Sequence, residues 1–142
     1  MFMKSNQILR PKTKKEILDD IEDLPPNKML LANAKSGSLD GVQKALEKGA
    51  DINYIDDIEG HTALAIASVE GHFHIVSFLL DRGATVCNYA LIGAFDRMDF
   101  LTMMLERVKL EGNLNLWIAL EVAEDDNRAE IANLIRERIK RG

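Results

Sequence analysis

Along most of this chain, apolar residues recur at helical spacing, in short stretches that come in pairs and are split by glycine. Over residues 62–69 the apolar positions Ala63, Leu64, Ile66 and Ala67 share one helix face. Gly71 interrupts the pattern at a point where a positive φ suits glycine and strains most other residues. Phe73, Ile75, Val76, Leu79 and Leu80 resume it as an inward face, and Gly83 ends it. This predicts a helical hairpin. The pattern repeats when residues 27–54 are slid forward by 34 positions. Leu30 then falls on Leu64, Gly37 on Gly71, Leu39 on Phe73 and Val42 on Val76. Leu46 falls on Leu80, Gly49 on Gly83, Ala50 on Ala84 and Ile52 on Val86. Neither helix of such a hairpin hides its apolar side alone, so the hairpins must stack.

Two weaker units follow. Residues 88–95 and 96–108 keep the hairpin pattern, with Tyr89 in the place of Leu64. Phe100, Leu101, Met104 and Leu105 stand where Ile75, Val76, Leu79 and Leu80 stood. In the last unit Leu120 and Ala123 replace Leu64 and Ala67, and Ala129, Ile131, Ala132 and Ile135 line the second helix. Asn127 takes the place of the turn glycine, since Asn tolerates left-handed geometry. The polar run Arg136, Glu137, Arg138, Lys140 and Arg141 suits a unit that faces water, which favours a monomer.

Upstream, Thr13-Lys14-Lys15-Glu16 reads as a capping box before the apolar stripe Ile17, Leu18, Ile21 and Leu24, which Pro25-Pro26 stops. A helix covering the open side of the first unit is expected; a partner-binding helix is the alternative. The connections differ in length. Seventeen residues separate Leu46 from Leu64, eight separate Leu80 from Tyr89, and 14 separate Leu105 from Leu120. One long β-hairpin-like finger around residues 53–60 is therefore expected, then a deleted one, then a shorter one turning at Glu111-Gly112-Asn113. The expected organisation is a flexible basic arm at 1–12 and one domain at 13–142. Within it lie a capping helix at 13–26 and units near 27–54, 55–86, 87–112 and 113–142.

The run Gly60-His61-Thr62-Ala63-Leu64-Ala65-Ile66-Ala67, with Gly71-His72, Ile75-Val76, Leu79-Leu80 and Gly83-Ala84 behind it, resembles the ankyrin repeat. Residues 44–53, Lys-Ala-Leu-Glu-Lys-Gly-Ala-Asp-Ile-Asn, are similar to the ending of that repeat. The resemblance is specific over residues 27–86 and weaker beyond. It implies an all-α ankyrin-repeat solenoid that binds another protein along a concave groove. Ala63 stands where the family has proline and Ala65 where it has histidine. Loss of that histidine removes a hydrogen bond between neighbouring loops, so a less rigid repeat is expected. The resemblance also puts Asn53 where ankyrin asparagines are hydroxylated in animal cells.

Composition narrows the picture. Of 142 residues, 46% are apolar, enough for a packed core. No apolar run reaches the roughly 20 residues that span a bilayer, and residues 1–10 hold no signal-peptide core. With one cysteine, Cys87, no internal disulfide can form, and a reducing, cytoplasmic setting is expected. Lys4, Arg10, Lys12, Lys14 and Lys15 carry five positive charges without an acid among residues 1–15. The net charge of −5 thus leaves the remainder near −10, a poor match to nucleic acid.

Catalytic groupings are not evident. His72 belongs at the start of a second helix, and His72 and His74, two apart, cannot chelate one metal from a helix. Cys87 has no histidine nearby in sequence, and Asp19-Asp20, Asp56-Asp57 and Asp125-Asp126 read as solvated pairs. No phosphate loop or dinucleotide glycine pattern is present. No enzyme, cofactor or metal is therefore expected. The expected partner surface comprises Tyr54, Ile55, Asp56, Asp57, Ile58, Glu59 and His61 on the finger. Val69 and Glu70 extend it, followed by Ala94 and Phe95, and then Trp117, Glu124 and Asp125. Tyr54, Ile55 and Ile58 are apolar at a loop tip, which fits either mutual packing or a partner. Trp117 either anchors a partner or fills the gap left by the shortened fingers. An acidic groove with aromatic anchors would take a protein segment carrying Lys or Arg beside an apolar anchor. An adaptor or inhibitor is the leading reading. A secreted bacterial effector acting on a host protein is the alternative, and an enzyme with an unrecognised site the remote one.

Overall fold

The computed structural model describes residues 11–108 and 116–141, without the side chains of Leu18 and Glu22. Residues 1–10 of the arm expected at 1–12, and the expected turn at 111–113, lie outside the described residues. The helices are α1 (Lys14–Glu22), α2 (Pro26–Ser36), α3 (Leu39–Glu47), α4 (Ala63–Val69), α5 (Phe73–Asp81), α6 (Asn88–Gly93), α7 (Met98–Arg107), α8 (Leu116–Asp125) and α9 (Ala129–Arg141). Each starts and stops for local reasons. Thr13 and Glu16 form the capping box of α1, bonding each other's backbone N–H at 3.2 and 3.1 Å. Ser38 and Thr62 cap α3 and α4 through bonds from Gly41 N and Ala65 N, satisfying otherwise orphaned donors. Gly37 ends α2 at φ 87°, and Asn127 turns the chain between α8 and α9 at φ 57°.

The helices pair as α2–α3, α4–α5, α6–α7 and α8–α9, and the pairs stand in a row. First helices contact in sequence, α2 on α4, α4 on α6 and α6 on α8, with α3 on α5 and α7 on α9 behind them. The core runs through all four hairpins: Leu30, Leu64, Ile75, Leu79, Leu91, Leu101, Met104 and Ile135 are fully buried. Burying each such side chain contributes about 1.5–3 kcal/mol.

The structure corrects three expectations. Among the described residues there is no strand, so residues 51–62 form a hydrogen-bonded loop and no β-hairpin. In α1 the stripe is only partly covered: Ile21 packs on the core, while Ile17 is 46% and Leu24 38% exposed. In the third unit, α6 is rolled by two positions. Ala90, Leu91 and Ala94 take the buried places of Ala63, Leu64 and Ala67, and Tyr89 is turned out to solvent. The cause is a tight seat on α4. The Ser68 hydroxyl donates to Ala90 O at 2.7 Å, and a Cβ on Gly93 would lie 2.7 Å from Val69 N.

The hairpins are tied by side chains that reach back to carbonyls of the preceding unit. His72 Nε2–H donates to Lys35 O at 3.0 Å and His74 Nε2–H to Gly37 O at 3.1 Å. In the last unit Arg128 Nη1 donates to Phe95 O at 3.2 Å, and Arg138 Nε to Leu105 O at 2.7 Å. Asparagines tie the loops in the same manner. Asp51 N donates to Asn27 Oδ1 at 2.7 Å, and Thr85 N, 34 residues on, donates to Asn53 Oδ1 at 2.9 Å.

Candidate partner-binding surface

The loop between α3 and α4 is built from its own polar groups. Asn53 N donates to Asp51 Oδ1 and Tyr54 N to Asp51 O, which fixes the way out of α3. At the tip, Asp56 N donates to His61 O at 2.9 Å and Gly60 N to Asp56 O at 2.8 Å. Gly60 holds φ 72°, a conformation that closes this turn without Cβ strain. The Asp56 carboxylate accepts from Glu59 N at 3.1 Å, and Lys28 Nζ stands 4.0 Å away. The Glu59 N–H, helped by that of Ile58 and by the charges of Lys28 and His61, holds the Asp56 carboxyl below the usual aspartate range; loss of hydration opposes it.

This scaffold sorts the expected residues. Ile55 and Ile58 are 58% and 88% exposed, so the loop presents them to water. Tyr54 is half-buried and packs on the core. Asp57 and Glu59 are exposed, and Asp56 is half-buried and engaged. His61 lies 3.6 Å through Nδ1 from Glu59 Oε2, and its ring meets Tyr89 edge-on at 4.5 Å. Val69 and Glu70, at the end of α4, are both exposed. Lys35, Glu59, His61, Val69, Glu70 and Tyr89 line one cleft between α4 and α6, with Ala65 and Ile66 also in its wall.

Farther along, the outcome is mixed. Phe95 is only 5% exposed and Ala94 fully buried, because the roll of α6 carries both into the core. They cannot reach a partner. Tyr89, absent from the expected surface, takes that position at 55% exposure. Its signal was the eight-residue gap after Leu80, too short for a finger that would cover it. Trp117 is 62% exposed, which removes the gap-filling reading. It lines a second cleft, of about 440 Å³, with Leu120, Glu121, Glu124, Arg136, Ile139 and Lys140. There Glu124 is ion-paired with Arg136, while Asp125 is exposed beside it.

Among the described residues, no three His, Cys, Asp or Glu side chains gather as a metal site. His72 and His74 have ring centroids 6.1 Å apart, and each is engaged with a carbonyl of the preceding unit. Cys87, half-buried, lies 3.9 Å from Thr62 Oγ1.

The family model for ankyrin repeats (3 copies) matches residues 10–90 and 28–140. The chain belongs to the ankyrin-repeat family. Ankyrin repeats are in general protein-interaction modules. Curated relatives match over part of their length. Ankyrin repeat and SAM domain-containing protein 6 of Rattus norvegicus is 38% identical over 93 residues, 57% of this chain and 10% of that protein. Serine/threonine-protein kinase 12 of Arabidopsis thaliana is 34% identical over 74 residues, 52% of this chain and 16% of the kinase. Ankyrin repeat domain-containing protein 40 of Mus musculus is 29% identical over 117 residues, 82% of this chain and 29% of that protein. This ankyrin-repeat chain thus spans less than a third of the length of each of these relatives. No helix among the described residues is long and apolar enough to cross a membrane.

Proposed function

We propose that the chain is a cytoplasmic, monomeric adaptor or inhibitor that grips a partner protein on its concave face and does no chemistry itself. The observation that carries this reading is the coincidence of exposed apolar side chains with acids on the loop between α3 and α4 and at the cleft that its Glu59 and His61 help to line. Ile55, Ile58, Val69 and Tyr89 are all more than half exposed. Asp57, Glu59 and Glu70 are exposed between them. Exposed apolar groups held by a rigid scaffold gain free energy when a partner covers them, and the acids select its charge. The partner segment is therefore basic with an apolar anchor. Trp117 and Asp125 extend the surface onto the last unit. An acidic balance near −10 outside residues 1–15 supports a protein partner over a nucleic acid.

The test is affinity capture with the whole chain, followed by Ile55→Ala combined with Ile58→Ala. Partner recovery is expected to fall at least about tenfold, as loss of hot-spot residues does. Unchanged recovery would remove the loop from the binding surface.

A further inference from the structure

We infer that the cleft between α4 and α6 is a receptor for one basic side chain, an arginine or lysine on an extended segment of the partner. This rests on the concave-face reading above and names what one part of that face takes. The cleft encloses about 200 Å³, room for one long side chain. Its walls fit an amphipathic one. Val69 and Tyr89, 59% and 55% exposed, offer apolar surface to an aliphatic stem. Glu70, and Glu59 beside His61 Nδ1 at 3.6 Å, put two carboxylates among the lining residues, and a cation beside the Tyr89 ring gains further attraction.

Other occupants fit less well. An acidic side chain would meet two carboxylates, and a purely apolar one would strip water from Glu59 and Glu70 without replacing it. The wider cleft between α8 and α9 has no such preference, because its two acids, Glu121 and Glu124, are matched by Arg136, which pairs with Glu124, and Lys140. Lys35 is the opposing cation in the α4–α6 cleft, so its charge works against the proposed guest. That opposition makes the inference testable in both directions.

The probes are N-acetylarginine amide and its neutral isostere N-acetylcitrulline amide, titrated into the full chain and followed by NMR. The arginine probe is expected to shift the Tyr89 ring and the Val69 and Glu70 amides. The citrulline probe should bind about fivefold more weakly, as expected for losing a partly exposed cation–carboxylate and cation–aromatic contact. Glu59→Gln with Glu70→Gln should weaken the arginine probe about threefold to fivefold. Lys35→Gln should tighten it about twofold. All three side chains are at the surface or the rim, and circular dichroism checks that the fold survives. Equal response to both probes, shifts confined to other residues, or no gain from Lys35→Gln would overturn the assignment. If the arginine probe fails while partner recovery still falls on Ile55→Ala with Ile58→Ala, the subsite is wrong and the concave face stands. If recovery is unchanged as well, both readings fall.

Discussion

Ser68 and Gly93 together set how closely α6 can lie on α4. Ser68 is 1% exposed and spends its hydroxyl on Ala90 O, so the buried oxygen and the buried carbonyl satisfy each other. Gly93 leaves no atom where Val69 N and Ser68 Oγ approach to 2.7 and 2.8 Å of a would-be Cβ. Gly93→Ala should destabilise the chain by about 1–3 kcal/mol, the usual range for overpacking, read as a lower urea midpoint. At the loop tip, the depressed pKa of Asp56 has a definite sign. Its folded-state pKa lies below the unfolded one, so its stabilisation is full above the unfolded value and is lost as pH falls through the folded one. Protection of the Glu59 amide from hydrogen exchange should fall with that protonation, and Asp56→Asn should lose the pH dependence. Neither role was legible in the sequence. Hydropathy marks glycines that break a pattern, such as Gly71, and says nothing of one inside a six-residue helix. Tyr89 and Leu91 are both acceptable at a buried position, so only the seat on α4 decides between them.

Elements were more legible, because their signals are redundant. For α4 and α5, a hydroxyl cap at Thr62, an apolar face and closing glycines at 71 and 83 all point the same way. The ties between elements were not legible. Two residues apart on a helix, His72 and His74 would point apart. But His72 is the N-cap of α5, outside its helical turns, and both rings turn to the end of α2, where each finds a carbonyl. Their use is structural, joining the second hairpin to the first. His72→Ala with His74→Ala should cost about 1–3 kcal/mol in total, two side-chain hydrogen bonds at about 1 kcal/mol each and some lost packing. Hydrogen exchange should quicken mainly in α2 and α3, and much less in α9. The loop at 51–62 went the other way. Its length suggested strands, but Asp51 and Asp56 draw its backbone donors into local turns, leaving fewer for a ladder.

Among the described residues the main helix contacts run within a hairpin or between adjacent hairpins, the pattern in which stability is expected to be local and roughly additive along the row. The stacking of the first two hairpins followed from the 34-residue repeat, since its phase fixes which faces must meet, while the third, off by two positions, did not. The position of the exposed surface followed less well, because it depends on loop lengths and on the roll of α6. Leu120, 4% exposed in α8, provides a test of locality. Leu120→Ala should cost about 2–5 kcal/mol and loosen α8 and α9 while α2 to α5 keep their exchange protection. The placing of Trp117 supplies a readout with no label attached. It is the only tryptophan in the chain and sits on α8 with its indole 62% exposed. Its emission therefore reports the final hairpin by itself, whereas circular dichroism sums the entire array. In a denaturant series the optical and ellipticity curves should separate if the hairpins melt in turn, and overlay if they melt as one.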